Sequence, residues 1–212
     1  MERPLELHCI PLGQMQTNCY ILIHRDRKEA IVFDPGDQGD VIMETLKKEG
    51  TELAGVCLTH AHFDHVMALP YLMEQKEKMP IYLHEEEEDV LLDPHLNLSY
   101  MMGQTISLQV NRLVKDGDVI DLLGAKVKCI HVPGHTKGGV CYYFEDYGWL
   151  ISGDTLFQRS IGRTDFPTGD LNTLLDGIRR KLFVLPSDTK VFSGHTPPTT
   201  IGEEKQYNPF LD

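Results

Sequence analysis

Positive charge is scarce in this chain: 20 lysines and arginines stand against 32 aspartates and glutamates, a formal charge of −12 over 212 residues. Part of the excess sits in the run Glu85–Glu88 with Asp89. Such a surface repels phosphate backbones and anionic lipid, which disfavours nucleic-acid and membrane partners. Long apolar runs are absent too. No segment approaches the ~20 residues of a membrane-spanning helix, and the start of the chain has no apolar stretch able to act as a secretory signal. Both absences predict a cytoplasmic protein. The five cysteines, Cys9, Cys19, Cys57, Cys129 and Cys141, are odd in number and form no C-x-x-C pair. They predict reduced, buried thiols rather than a disulfide framework. Nothing reads as a linker, and 41% apolar residues suffice for a sizeable core. The expectation is one domain, residues 1–212.

What is present is a rhythm of strand followed by helix, stated twice. Leu5–Ile10, Cys19–Ile23, Ala30–Phe33, Leu53–Leu58 and Ile81–Leu83 read as short strands closed by turn residues, with helices at Val41–Lys48 and Val66–Lys78. Lys126–Val132, Val140–Phe144, Trp149–Ser152 and Lys190–Ser193 repeat the strand pattern, with a helix at Asp170–Phe183. The stretch from Asp93 to Ser107 reads as a lid or a packing loop. The predicted class is an α/β sandwich of two sheets with helices outside, four layers in the order αββα.

The chemistry concentrates in Thr59-His60-Ala61-His62-Phe63-Asp64-His65, where an apolar strand gives way to a helix. Four ligand-type side chains within six residues cannot all face one way in a regular element; a strand-to-helix turn fans them around one point. Three further candidates, His135, Asp154 and His195, follow predicted strands. Gly134, Gly153 and Gly194 precede them, and glycine permits a sharp turn and a close approach to an ion. Five imidazoles and two carboxylates are too many for one tetrahedral ion but suit two divalent ions, with Asp154 offering one oxygen to each. Zinc is the first expectation for such nitrogen and oxygen donors, and iron or manganese is compatible. Two such ions would add four positive charges locally, so the acidic bulk does not exclude an anionic small molecule.

The ordered series H-x-H-x-D-H, then H, D and H, resembles the metallo-β-lactamase superfamily. Asn18-Cys-Tyr-Ile, Asp34-Pro-Gly, Gly153-Asp-Thr-Leu-Phe, Ile161-Gly-Arg-Thr-Asp-Phe-Pro, and Thr200-Ile-Gly-Glu-Glu-Lys with Asn208-Pro-Phe-Leu narrow the likeness. They resemble short glyoxalase II-like hydrolases (hydroxyacylglutathione hydrolases) without the C-terminal helical segment of the longer enzymes. The resemblance implies that His60, His62 and His135 hold one metal, that Asp64, His65 and His195 hold the other, and that Asp154 bridges. Asp64 and Asp154 are then the expected catalytic carboxylates. The expected nucleophile is a hydroxide formed from water between the ions. A thiolate, with a thiol pKa of about 8.5, leaves without prior protonation, which favours a small thioester over an amide. S-D-lactoylglutathione is the leading substrate on this reading.

The resemblance admits two alternatives, a mono-iron persulfide dioxygenase of the same fold and a metal-bound protein without catalysis. Arg163 and Asp165 are candidate substrate contacts or a salt bridge that fixes their loop. Asp34 is a candidate partner for a ligand histidine or a simple turn former before Pro35-Gly36. His131 is expected to pack near its strand, and Glu85–Asp89 to form a solvated face.

Overall fold

The computed structural model describes residues 4–211. Contacts divide the chain into two compact units. Unit one takes the chain up to Leu83 together with Asp89–Leu113; unit two takes His84–Glu88 and everything from Val114 onward.

Unit one is built on a six-stranded mixed sheet in the order β1-β2-β3-β4-β5-β6, formed by Leu5–Leu12, Thr17–His24, Glu29–Phe33, Glu52–Cys57, Ile81–His84 and Arg112–Val114. The first two strands make an antiparallel hairpin from Leu5 opposite His24 to Leu12 opposite Thr17. β3, β4 and β5 run parallel, so helices must carry the chain between them. Helix α1 (Gly39–Lys48) makes the first crossover. Ile42 and Leu46, one turn apart, are buried, while Asp40 in its first turn and Lys47 and Lys48 in its last complement the helix dipole.

The second crossover differs from the continuous helix expected over Val66–Lys78. It is split into α2 (Phe63–Val66) and α3 (Leu69–Gln75). The break has two causes. Pro70 sits at the start of α3, and the Ala68 N–H is donated to the Pro35 carbonyl at 3.0 Å instead of to its own helix. A short helix, α4 (Glu88–Leu92), follows β5.

The stretch from Asp93 to Ser107 is a packed loop pinned from within. Buried Asn97 donates to the carbonyls of Leu91 and Ile106 at 3.1 and 3.0 Å, and its side-chain oxygen accepts from Ser99 N–H at 3.0 Å. Beyond this anchor Tyr100, Met101 and Met102 stand exposed.

Unit two has its own six-stranded mixed sheet, in the order β14-β13-β10-β9-β8-β7. Its strands are β7 (Val119–Leu122), β8 (Ala125–His131), β9 (Val140–Phe144), β10 (Trp149–Gly153), β13 (Lys190–Ser193) and β14 (Thr199–Thr200), with a separate ribbon of β11 (Leu156–Phe157) and β12 (Ser160–Ile161). Helix α5 (Leu171–Gly177) connects the parallel strands β10 and β13 and continues into a π turn at Ile178–Leu182. Leu174, Ile178 and Leu182 from this segment pack with Val132, Leu150 and Val191 in a buried cluster. Asp170 caps α5 by accepting from Thr173 N–H at 2.7 Å, and Thr200 caps α6 (Ile201–Tyr207) in the same way.

Two expectations are corrected here. The acidic run is not a solvated face throughout: Glu87 is fully buried, and its carboxylate accepts from Gly138 N–H at 2.7 Å. Four cysteines are buried, but Cys9 is exposed. Among the described residues no helix is long and apolar enough to cross a membrane.

Replacing Asn97 by alanine leaves two buried carbonyls and a buried N–H without their partner. The variant is expected to lose about 2–3 kcal/mol of stability, read as a lower urea midpoint at unchanged slope. An unchanged midpoint would show that the Asp93–Ser107 loop does not depend on this anchor.

Candidate metal centre

In unit one the ligand-type residues fan out where β4 ends. His60 and His62 lie in the irregular link after the strand, and Asp64 and His65 occupy the first turn of α2. Phe63 N–H is donated to the Asn97 carbonyl at 2.8 Å, which fixes where that turn begins. The three imidazoles are buried and crowd together, with ring centroids 4.9 Å apart for His60 and His62 and 4.1 Å for His60 and His65. Asp64 Oδ2 lies 3.8 Å from His65 Nε2 and accepts from the Thr17 hydroxyl at 3.1 Å.

Asp34 organises this cluster. Its carboxylate is buried and accepts from both Thr59 N–H and the Thr59 hydroxyl, each at 2.7 Å, and its Oδ2 lies 3.0 Å from His65 Nδ1. The Thr59 hydroxyl has spent its one proton on Asp34. Its contact with His60 Nδ1 at 3.1 Å must therefore be accepted from the ring. The His60 ring is thus protonated on Nδ1 and presents Nε2 as a lone pair, the form in which a neutral imidazole binds a metal. His65 has its Nδ1 beside the Asp34 carboxylate. Asp34 also takes a φ of 50°, a left-handed conformation tolerated best by glycine, asparagine and aspartate. The two sequence readings of Asp34, turn former and histidine partner, are both realised in one residue.

Unit two gathers the remaining three candidates at the ends of β8, β10 and β13. The Gly194 N–H donates to the Gly153 carbonyl at 3.0 Å, which brings His195 beside Asp154. Asp154 Oδ2 lies 3.3 Å from His195 Nε2 and 3.7 Å from His135 Nε2. Donors about 2.0–2.1 Å from a common tetrahedral ion stand roughly 3.3–3.4 Å apart, so the Asp154–His195 spacing suits one cation and the Asp154–His135 spacing is slightly wider. His135 Nδ1 donates to the Arg163 carbonyl at 2.7 Å, and because a carbonyl only accepts, this ring too presents Nε2. Gly134 and Gly153 take positive φ, 129° and 50°, as expected of turns before ligands; Gly194 is absent from that set.

Two glycines matter for another reason, which was not read from the sequence. A Cβ on Gly36 would lie 1.9 Å from the carbonyl oxygen of Asp64, and one on Gly162 would lie 1.8 Å from that of Asp154. In each unit a loop lies directly on the backbone of a candidate ligand aspartate, where no side chain fits. The motifs Asp34-Pro-Gly and Ile161-Gly-Arg carried the signal, but only as family text.

The Arg163 side chain is committed elsewhere. It makes a bidentate pair with Asp165, both bonds 2.7 Å, and lies over the Phe166 ring at 3.8 Å. The guanidinium holds the exposed Asp165 carboxyl down to about 2. His131 packs at the end of its strand as expected: it bonds to the Lys137 carbonyl at 2.8 Å and stacks on His84 at 3.9 Å.

A profile of the metallo-beta-lactamase superfamily matches residues 12–195. The chain belongs to that superfamily. The Bacillus subtilis protein named probable metallo-hydrolase YqgX is 40% identical over 205 residues, 96% of each chain. The hydroxyacylglutathione hydrolase GloC of Haemophilus influenzae is 34% identical over 211 residues, 98% of this chain and 99% of that one. Among solved structures, BLEG-1 B3 metallo-beta-lactamase superposes with a TM-score of 0.91 at 41% identity, covering 97% of this chain and 99% of the other. The two mixed sheets with helices around them are those of the metallo-beta-lactamase fold.

Two predictions follow from the rings and their partners. Asp34→Asn preserves the shape but faces an amide N–H2 toward a donor, and is expected to weaken metal binding about 10–100-fold in competition with a chromophoric chelator. Unchanged affinity would reduce Asp34 to a turn former. Separately, burial first and the adjacent His131 ring second push His84 down to about 4. The unfolded chain takes up that proton near pH 6.5, before the folded one does, so stability falls as pH drops from about 6.5 toward 4. Urea midpoints of the wild type should fall between pH 7 and pH 5 by more than those of His84→Phe. The difference is on the order of 1–2 kcal/mol.

Proposed function

We propose that the protein is a hydrolase of small acyl thioesters that works with two divalent metal ions. His60, His62 and His135 would hold one ion and Asp64, His65 and His195 the other, with Asp154 shared between them. The observation that carries this reading is the ring polarity: His60 and His135 each have Nδ1 hydrogen-bonded to a fixed acceptor, which leaves Nε2 as the lone pair, and His65 has Nδ1 3.0 Å from the Asp34 carboxylate. The donor set is nitrogen and oxygen throughout, which suits zinc, iron or manganese.

Two such ions, when bound, would supply a nucleophilic water at neutral pH and polarise the substrate carbonyl. The protein's own groups do the rest. Thr17 holds the Asp64 carboxylate through its Oδ2, and Asp64 in turn would orient the attacking water. Asp34 and the Arg163 carbonyl keep the rings from rotating. In the reaction the attacking water gives one proton to solvent, its oxygen bonds to the acyl carbon, and the carbon–sulfur bond breaks. The thiolate departs with its electron pair and takes up a proton from solvent, and the acid product releases its own, so that carboxylate, thiol and one proton result. That leaving group needs no separate acid, which favours thioesters; the likeness to GloC points to the same class.

The test joins metal analysis to paired assays on one purified sample. About two metal ions per chain, cleavage of S-D-lactoylglutathione or another small thioester, and loss of at least 100-fold in kcat for Asp154→Ala are expected. Hydrolysis of a chromogenic β-lactam without any thioester cleavage would overturn the thioesterase assignment. One iron per chain with oxygen uptake on glutathione persulfide would replace it by the dioxygenase.

A further inference from the structure

Unit one contains a pocket of about 600 Å³, including the solvent in its mouth, that opens beside Asp64. Leu12, Met15, Phe63, Met67 and Met102 supply its apolar wall. They come from separate places: the tip of the β1–β2 hairpin, helix α2 with the residue after it, and the turn at Ser99–Met102. Met15 and Met102 are 52% and 43% exposed, so the protein holds apolar surface open to water on both rims.

Gly13 N–H on the hairpin tip donates to the Gln38 side-chain oxygen at 2.9 Å, and Gly36 lies against the Asp64 backbone. The methionines above are unbranched and polarisable, suited to closing over chains of varied shape.

Charge decides what such a pocket accepts. Apart from Asp64, which the proposed function assigns to a metal ion, its one charged lining group is Asp37; Gln14, Thr17 and Gln104 are its neutral polar ones, and among the described residues no lysine or arginine lines it. A carboxylate on the chain that enters would meet Asp37 and no protein cation there.

We propose that this pocket receives the acyl part of the substrate, and that this part is an uncharged hydrocarbon chain of several carbons. The proposal rests on the thioesterase reading: with Asp64 orienting the water that attacks the carbonyl, the group attached to that carbonyl lies next to Asp64. The thiol part then lies elsewhere.

The test uses the metal-loaded 212-residue chain and thioesters of N-acetylcysteamine, a neutral thiol, with acetyl, butanoyl, hexanoyl and 5-carboxypentanoyl groups. kcat/KM is expected to rise about two- to fourfold per methylene from acetyl to hexanoyl, and 5-carboxypentanoyl, whose carboxylate meets Asp37, to fall back toward the acetyl value. Met15→Gln with Met102→Gln should lower the hexanoyl-to-acetyl ratio about tenfold. A second readout is independent of turnover: methionine methyl NMR, with hexanoate expected to shift the Met15, Met67 and Met102 signals and lactate not. Thioester cleavage that is flat in chain length would overturn the pocket proposal and leave the hydrolase reading intact. If no thioester is cleaved, that reading fails, and the methyl shifts alone decide whether the pocket takes an apolar chain. Equal shifts with hexanoate, adipate and lactate, or none with hexanoate, would end the proposal.

Discussion

The buried carboxylate of Asp34 is the interaction on which the histidine cluster of unit one depends. It stands at the end of β3 and reaches the end of β4 through Thr59 and the first turn of α2 through His65. A buried carboxylate is costly unless its lone pairs are used. Here two short hydrogen bonds offset that cost, and the one from the Thr59 hydroxyl settles the tautomer of His60. The left-handed φ of Asp34 is the local strain that goes with this placement.

Unit two solves the same problem with backbone instead of side chain. The Arg163 carbonyl, carried over Asp154 by a loop that only glycine at position 162 permits, fixes His135. Glu204 supports that region from behind: buried, it accepts from Arg159 N–H, the Thr199 hydroxyl and the Asn208 side chain. This gives a physical role to the segment Thr200-Ile-Gly-Glu-Glu-Lys and Asn208. It ties α6 to the β11–β12 ribbon that precedes the Gly162 loop. In both units the candidate ligands follow strand ends, and the groups that contact them lie in loops pressed onto those ends.

Most central strands were legible because, buried on both faces, they read as unbroken apolar runs; Cys19–Ile23 and Val140–Phe144 are examples. The strands at Arg112–Val114, Val119–Leu122 and Thr199–Thr200 were not read. They are short and carry polar residues, so what makes them strands is the neighbour they pair with. The helix at Val66–Lys78 was read too long because hydrophobic spacing does not register a hydrogen bond diverted to Pro35. Glu87 was read as solvated because charge runs usually are; burying one member requires a specific partner, here the Gly138 amide.

The sequence by itself determined the family and the seven ligand-type residues. Four of them are packed into six positions, and the identity of a metal-binding side chain is a property of composition and order. Only the tertiary structure decided how they are presented. Whether a ring offers Nδ1 or Nε2 depends on an acceptor distant in the chain, as Asp34 is from His65 and Arg163 from His135. Whether Arg163 acts through its guanidinium or its carbonyl depends on where Asp165 and Phe166 fall. The apolar wall beside Asp64 was equally invisible, because its methionines come from elements separated along the chain and meet only when the loops close on them.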